Sequence, residues 1–485
     1  MDRNDRMWQM ISAVKSTVTD PAWTASYKEL LRQPVNPCIS DGARELLELL
    51  YSVQGKRMLT GQHEYLEAPN NYSGQIYDKT GKRPMLKGFE FGGISGQNEA
   101  LLAEQRDKIV TAAKAWHDAG GIVTATYHQV YPGTALEWPN VKRKTTPDEF
   151  DQILTPGTVL HTAFLAAIDE VAVYLKQLRD YKVPVLWRPY HEMNGDWFWW
   201  GDKTNFNALW ELMYQRYTRY HGLNNLLWVW SANANNEWTK PARDYYVGHN
   251  RADALGFDIY DNAYYYSNYD ELLYLAEGKI ISVTENGQLP DMTRTSLRQF
   301  KLSWFMTWGS YLTDKNTDAV IQTVYNHPFA LNRGDSFTPV VVPPASAADG
   351  ILGNYYFGQN FNTLKVTKVV PTVNFNWTSS TTINSWNMTV RWTGFVQGVH
   401  DEEYTFYVQS SDGVRLWIDN ILIIDDWTVH GTLEVSGTAV LAAGKQHRIK
   451  LEYFNNQDTL ANVKLSWESA STVKEVIPQT QLYSV

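Results

Sequence analysis

Along the first two thirds of the chain, short runs that are apolar at nearly every position alternate with longer stretches of helical period. The runs are Arg57–His63 (RMLTGQH), Met85–Gly92 (MLKGFEFG), Gly121–His128 (GIVTATYH), Val183–Tyr190 (VPVLWRPY), Leu226–Ala232 (LLWVWSA), Ala254–Tyr260 (ALGFDIY), Lys279–Glu285 (KIISVTE) and Leu302–Trp308 (LSWFMTW). Successive side chains of a strand point to opposite faces, so a strand buried on both faces must be apolar at consecutive positions. Between the runs, segments such as Asn98–Ala119 and Val159–Tyr181 carry helix-like spacing. Strands alternating with helices predict a parallel sheet. Eight such units in about 300 residues predict an α/β fold, a (β/α)8 TIM barrel. A doubly wound sheet is the alternative. It would offer a glycine-rich phosphate turn after its first strand, and none is present in the sequence.

The pattern changes at both ends. Residues 1–40 read as an extension packing on the barrel, with Ile11, Val14 and Val18 on one helical face and Pro21, Pro34 and Pro37 as breaks. The barrel is expected over 41–332. Residues 333–349, rich in Pro, Ala and Ser, read as a linker. From 350 to 485 the alternation has a period of two, as in YTFYVQSSDGVRLWIDNILIIDDW from Tyr404 to Trp427, which predicts an all-β sandwich. Asp412-Gly413 and Asp419-Asn420 stand where hairpin turns are expected, and Gln446–Phe454 with Val463–Trp467 is expected as a further strand pair.

Composition narrows the function. Of 485 residues, 14% are aromatic, including 20 Trp and 29 Tyr. Such side chains offer flat surfaces with a polar edge, suited to sugar rings as well as to large cores. Net charge is −9, from 43 basic and 52 acidic residues, and no basic run stands out. A nucleic-acid partner is disfavoured, and a neutral polymer fits the balance. No apolar run reaches membrane-spanning length. One cysteine, Cys38, excludes an intrachain disulfide. The first residues, MDRNDRMWQM, have no signal-peptide core, which leaves an intracellular protein or one whose signal was removed.

The chemistry is expected where a barrel keeps it, at the C-terminal ends of the strands. Those ends carry Gln62, His63 and Glu64, then His128, His191, Glu192, Asn233, Tyr260, Glu285 and Trp308. A glycosidic bond is cleaved by two carboxyl groups. Glu192 and Glu285 each lie just past a buried strand, the fourth and the seventh. Trp197, Phe198, Trp199 and Trp200 follow Glu192. An apolar surround raises a carboxyl pKa, as a general acid requires. Glu285 sits in VTENG, where polar neighbours, with Tyr260 as a candidate donor, would keep it ionised. Glu64 and Glu90 compete: Glu64 could line the mouth, and Glu90 could be a buried, paired carboxylate. His63, His128 and His191 could converge on zinc, but their spacing matches no local metal motif, and no metal is expected.

These residues resemble glycoside hydrolase family 26, mostly endo-β-1,4-mannanases. The matching pieces are TGQHE (Thr60–Glu64), KGFEF (Lys87–Phe91), WRPYHEMNGDWFWWG (Trp187–Gly201), GFDIY (Gly256–Tyr260), VTENG (Val283–Gly287) and MTWG (Met306–Gly309). The resemblance implies a retaining barrel with Glu192 as acid/base and Glu285 as nucleophile. It implies that His128, Arg188, His191, Trp197, Tyr260 and Trp308 contact the substrate or orient the carboxylates. YHQVYPGTALEW, after the third strand, departs from typical members. The C-terminal part resembles the protective-antigen-type sandwich through GNYYFGQNF, SSDGVRLWIDNILIIDDW and IKLEYFNN. In adhesin relatives an acidic pair there binds calcium and sugar. Here the position reads Ser411-Asp412, so calcium lacks half of its pair. The expectation is a secreted, monomeric enzyme that needs no cofactor, with β-mannan and manno-oligosaccharides as partners and neither nucleic acid nor membrane. Another β-glycan, such as xylan or mixed-linkage glucan, and a non-catalytic glycan-binding protein are the alternatives.

Overall fold

In the computed structural model, the first seven apolar runs form the parallel strands β1 (Gly61–His63), β2 (Leu86–Glu90), β3 (Ile122–Tyr127), β4 (Val185–Pro189), β5 (Leu226–Asn233), β6 (Ala254–Ile259) and β7 (Ile280–Asn286). They pair in sequence order, β1 to β7. The structure describes residues 31–484 except 262–263, 265, 293–300, 338–347, 359–360, 362, 378–386, 420 and 457–460. The helix expected around Ile11 to Val18 and most of the linker lie outside the described residues. The chain divides into two compact units, Met1–Val341 and Val342–Val485.

The eighth run is not a regular strand, yet it closes the barrel. Residues 302–308 make isolated parallel bridges to both edges: Ile281 with Leu302, Asn286 with Thr307, and Gln62 with Thr307. Their amides and carbonyls alternate between the two neighbours, as in Trp308 N to Asn286 O at 3.0 Å and His63 N to Thr307 O at 2.8 Å.

The runs are apolar throughout because alternate residues serve different cores. Trp187, Trp228, Trp230, Phe257 and Val283 pack outward with Phe164, Ile168 and Leu175 of the helix Val159–Asp180. Leu86, Ile122, Leu186, Leu227, Ala254 and Ile280 pack with Leu46, Leu47 and Leu50 of the helix Asp41–Val53. That helix buries Ala43, Leu46, Leu47, Leu50 and Val53 along one stripe, and Ser40 caps it by accepting from Ala43 N. Each fully buried Leu contributes about 1.5–3 kcal/mol. No single helix among the described residues is long and apolar enough to cross a membrane.

The second unit is a sandwich of antiparallel sheets. One runs β9 (Thr363–Val370), β8 (Ile351–Phe357), β11 (Asn387–Gln397), β16 (Gln446–Asn456), β13 (Val414–Ile418), β14 (Ile421–Asp426). The other runs β10 (Asn374–Trp377), β17 (Ala461–Glu468), β12 (Glu402–Ser410), β15 (Leu433–Leu441). Two expectations are corrected here. Asp412-Gly413 is not a hairpin turn, because β12 and β13 lie in different sheets, and the pair carries the chain across the core. Likewise β16 and β17 form but do not pair with each other. The expected Asp419 turn does stand between hydrogen-bonded neighbours, β13 and β14, with Asp419 at φ 49°, while Asn420 lies outside the described residues. Period-two alternation says which face of a strand is buried, not which strand lies beside it.

Candidate active site

Past Pro189 the backbone leaves β4 through left-handed residues, Tyr190 at φ 46° and Glu192 at φ 56°. Such residues cost about 1–2 kcal/mol each when not glycine. Neighbours hold the turn. Glu192 N donates to Ser231 O at 2.8 Å, Trp200 Nε1 donates to His191 O at 2.8 Å, and the Tyr190 hydroxyl donates to Gln129 Oε1 at 2.7 Å.

Glu192 is 8% exposed. Trp197 Nε1 donates to its Oε2 at 2.6 Å, and Asn233 Nδ2 to its Oε1 at 3.3 Å. A Cβ on Gly195 would overlap the Trp197 ring, so glycine is what lets the indole lie against its own backbone and reach Glu192. Burial pushes the Glu192 carboxyl well above the usual range, and the charges of Asp258 and Glu285 add to this. Trp197 and Arg188 oppose the shift without cancelling it.

Glu285, near the end of β7, is held at both oxygens. Arg188 Nη2 donates to Oε2 at 2.5 Å, and the Tyr260 hydroxyl donates to Oε1. Burial and the Glu285 charge push the Tyr260 hydroxyl well above its ordinary value, so it stays protonated and able to donate. Arg188 Nη1 also donates to Asp258 Oδ2 at 2.9 Å. Burial works against the Arg188 charge, but the carboxylates of Asp258 and Glu285 override it and strengthen proton binding.

The opposite flank is aromatic and imidazole-rich. His63 stacks on Trp308 with centroids 4.2 Å apart, and the His128 ring stands edge-on to His191 at 4.5 Å and to Trp308 at 5.3 Å. Burial drives His63 down to about 3 and His191 well below its usual value, so both rings are neutral. Glu90 is the buried, paired carboxylate expected of it. Its Oε2 lies 2.6 Å from His128 Nδ1, and its Oε1 accepts from His128 N at 2.9 Å. Burial would raise Glu90, but His128 outweighs it and holds the carboxyl at about 2.

The sequence profile of glycosyl hydrolase family 26 matches residues 35–335. The chain belongs to that family. A PA14 domain matches residues 347–481. Among relatives, mannan endo-1,4-beta-mannosidase A of Piromyces sp. is 32% identical over 317 residues, covering 62% of this chain and 50% of that protein. The chain thus spans about half the length of that curated relative. Among solved structures, GH26A from Muricauda sp. superposes with a TM-score of 0.59 at 35% identity, covering 62% of this chain and all of that one. The Podospora anserina GH26-CBM35 β-(1,4)-mannanase gives a TM-score of 0.54 at 30% identity, over 62% of this chain and 68% of that one.

In this family 26 barrel, the eight residues picked from the sequence fall into one mouth. Glu192, Arg188, Trp197, Tyr260 and Glu285 form its carboxylate side, and His128, His191 and Trp308 its ring-lined side. The rest of the WFWW run is wall: Phe198, Trp199 and Trp200 are buried, and the Trp199 indole donates to Gln129 O at 2.8 Å. Glu64 does not line the mouth. Its oxygens accept from Tyr72 N and Ser73 N at 2.8 and 2.7 Å, at the start of the helix Asn71–Thr80.

Sequence reading missed Asp258. It is the one charged residue inside the strand Ala254–Ile259. The register of β6 and β7 slips between Phe257 and Asp258, so Asp258 stands opposite Glu285. Its Oδ1 accepts from Ser231 and Thr284 hydroxyls at 2.7 and 3.0 Å, and burial, outweighing Arg188, raises its carboxyl to about 7. Strong polarity inside an otherwise apolar run was the available signal. His191, Asp258 and Glu285 bring ligand-type atoms within 4.8 Å of one another. Arg188 already bonds both carboxylates, so its fixed charge supplies the neutralisation that a metal ion would otherwise bring.

In the PA14 unit, both oxygens of Asp412 are engaged, Oδ1 by His430 N at 3.1 Å and Oδ2 by Asn456 N at 2.8 Å. Ser411 bonds Tyr453 and Asn462 N. These bonds tie the β12–β13 crossing to strands β16 and β17 and to the segment at His430.

Proposed function

We propose that the barrel is a retaining endo-β-1,4-mannanase acting on mannan, glucomannan and galactomannan by double displacement. The observation that carries this reading is the contrast between two buried carboxyls at one mouth. Glu192 is held protonated by burial and by neighbouring anions. Glu285 is clamped by Arg188 and Tyr260. A protonated carboxyl beside an ion-paired one is the division of labour that retaining hydrolysis requires.

Glu285 attacks the anomeric carbon while Glu192 passes its proton to the departing sugar oxygen. Glu192, now ionised and still bonded by Trp197, takes a proton from water, and that water releases the sugar from Glu285. Arg188 and Tyr260 fix the direction of attack. His128, His191 and Trp308 wall the ring that stays on Glu285. The names of the family 26 relatives support mannan as substrate. A polymer of this kind is met outside the cell, so we place the protein there, working as a monomer.

Trapping with 2,4-dinitrophenyl 2-deoxy-2-fluoro-β-mannoside, followed by peptide mapping, tests the assignment. Label on Glu285 is expected, and label on another residue rejects it. Sizing products from galactomannan, xylan and mixed-linkage glucan tests the substrate, since faster release from either of the latter two overturns mannan.

A further inference from the structure

Two tryptophans among the described residues stand open to solvent, Trp138 at 40% and Trp238 at 75% exposed. Trp138 lies beside His128, with ring centroids 5.5 Å apart. Trp238 lies in the loop after β5, whose hydrogen bonds run through Asn236 and Asn233 to Glu192.

That loop is fastened to the acid. Trp238 N donates to Asn236 Oδ1 at 2.8 Å, Asn236 Nδ2 to Asn233 Oδ1 at 3.4 Å, and Asn233 Nδ2 to Glu192 Oε1 at 3.3 Å. Thr239 bridges antiparallel to Gly195, the residue against which the Trp197 ring lies. Lys240 N donates to Asn194 O at 2.9 Å, and Asn194 Nδ2 returns bonds to Asn233 O and Lys240 O at 2.9 and 3.2 Å. The backbone on either side of Trp238 is therefore tied to the segment that carries Glu192 and Trp197, while the indole itself is left in water.

We infer that Trp238 is a stacking platform for a sugar of the leaving group, on the side of the bond that Glu192 protonates. The inference rests on the glycosidase reading above. The sugar attacked by Glu285 is enclosed by Tyr260, Trp308 and the imidazoles. The sugar that departs takes its proton from Glu192, so it lies on the flank of Asn233 and Trp238. With its backbone already held, only the side-chain torsions of the indole need ordering for it to offer a pyranose a flat apolar face. A polysaccharide has sugars on that side, whereas an activated aryl glycoside has none.

The test compares wild type with Trp238→Ala and Trp238→Phe on two substrates. These are mannohexaose and 2,4-dinitrophenyl β-mannobioside, whose leaving group carries no sugar. For Trp238→Ala, kcat/KM on mannohexaose is expected to fall about tenfold, equivalent to about 1.4 kcal/mol, with Trp238→Phe recovering most of it. On the aryl glycoside it should stay within about twofold, and the basic limb of the mannohexaose pH profile should not move. An unchanged rate on mannohexaose overturns the inference. So does a displaced basic limb, which would make Trp238 a positioning residue acting through Glu192. A wild-type protein that leaves both substrates intact rejects the mannanase reading itself, before any substitution is compared.

Discussion

Arg188→Gln removes the one cation among the described residues that pairs with Asp258 and Glu285. The guanidinium is buried and bonds Asp258 at 2.9 Å and Glu285 at 2.5 Å. Without it, two carboxylates with oxygens no more than 4.8 Å apart face each other in the barrel core. At an effective dielectric of about 20, two unit charges at that separation repel by about 3.5 kcal/mol. Removing one partner of a buried pair costs about 3–5 kcal/mol, which agrees. At about 2 °C per kcal/mol for a barrel of this size, its unfolding transition should fall by about 6–10 °C at pH 8. The pH dependence identifies the cause. Burial already raises the Asp258 carboxyl to about 7 with Arg188 present, and Arg188 is the main group holding it down. A carboxyl raised in the folded state destabilises the fold as pH climbs from its unfolded value towards its folded one. Loss of Arg188 raises the folded value further, so the gap between wild type and variant should open as pH rises from about 6 through 7 to 8. Below about pH 6 the folded Asp258 binds its proton in both, and the gap should shrink to a constant. Calorimetry of the barrel transition across that range is the assay. A gap independent of pH, or one that widens towards acid, refutes the electrostatic account and leaves Arg188 as a packing residue.

Two further outcomes follow from single contacts. Trp197 Nε1 stabilises the ionised form of Glu192, so Trp197→Phe should raise the acid's pKa and carry the basic limb of kcat/KM upward by about one pH unit; a limb that stays or moves down rejects the contact's role. In the PA14 unit, Asp412→Ala leaves His430 N and Asn456 N without their acceptor and should lower that unit's stability by about 2 kcal/mol in calorimetry of the full chain, while calcium leaves the wild-type transition in place; a calcium-dependent rise would show a cation site at Asp412 instead.

The sequence by itself determined the barrel strands, because a strand buried on both faces has to be apolar at consecutive positions. It also exposed Glu192 and Glu285, because an acid just after such a run stands out against it. The eighth run was legible too, although only backbone bridges to Ile281, Gln62 and Asn286 make it the closing segment. Alternation likewise marked the sandwich strands but misassigned the Asp412 turn and the β16–β17 pairing, since period two carries no information about neighbours. Glu64 was ambiguous for a similar reason. A carboxylate at a strand end can face the mouth or a helix start, and the amides of Tyr72 and Ser73 settle which. Tertiary structure alone decided the electrostatics of the mouth. A one-residue slip between β6 and β7 turns Asp258 towards Glu285 and Arg188, and its charge adds to burial in raising the Glu192 carboxyl. Residue types are local, whereas burial and charge separation depend on which distant strands meet.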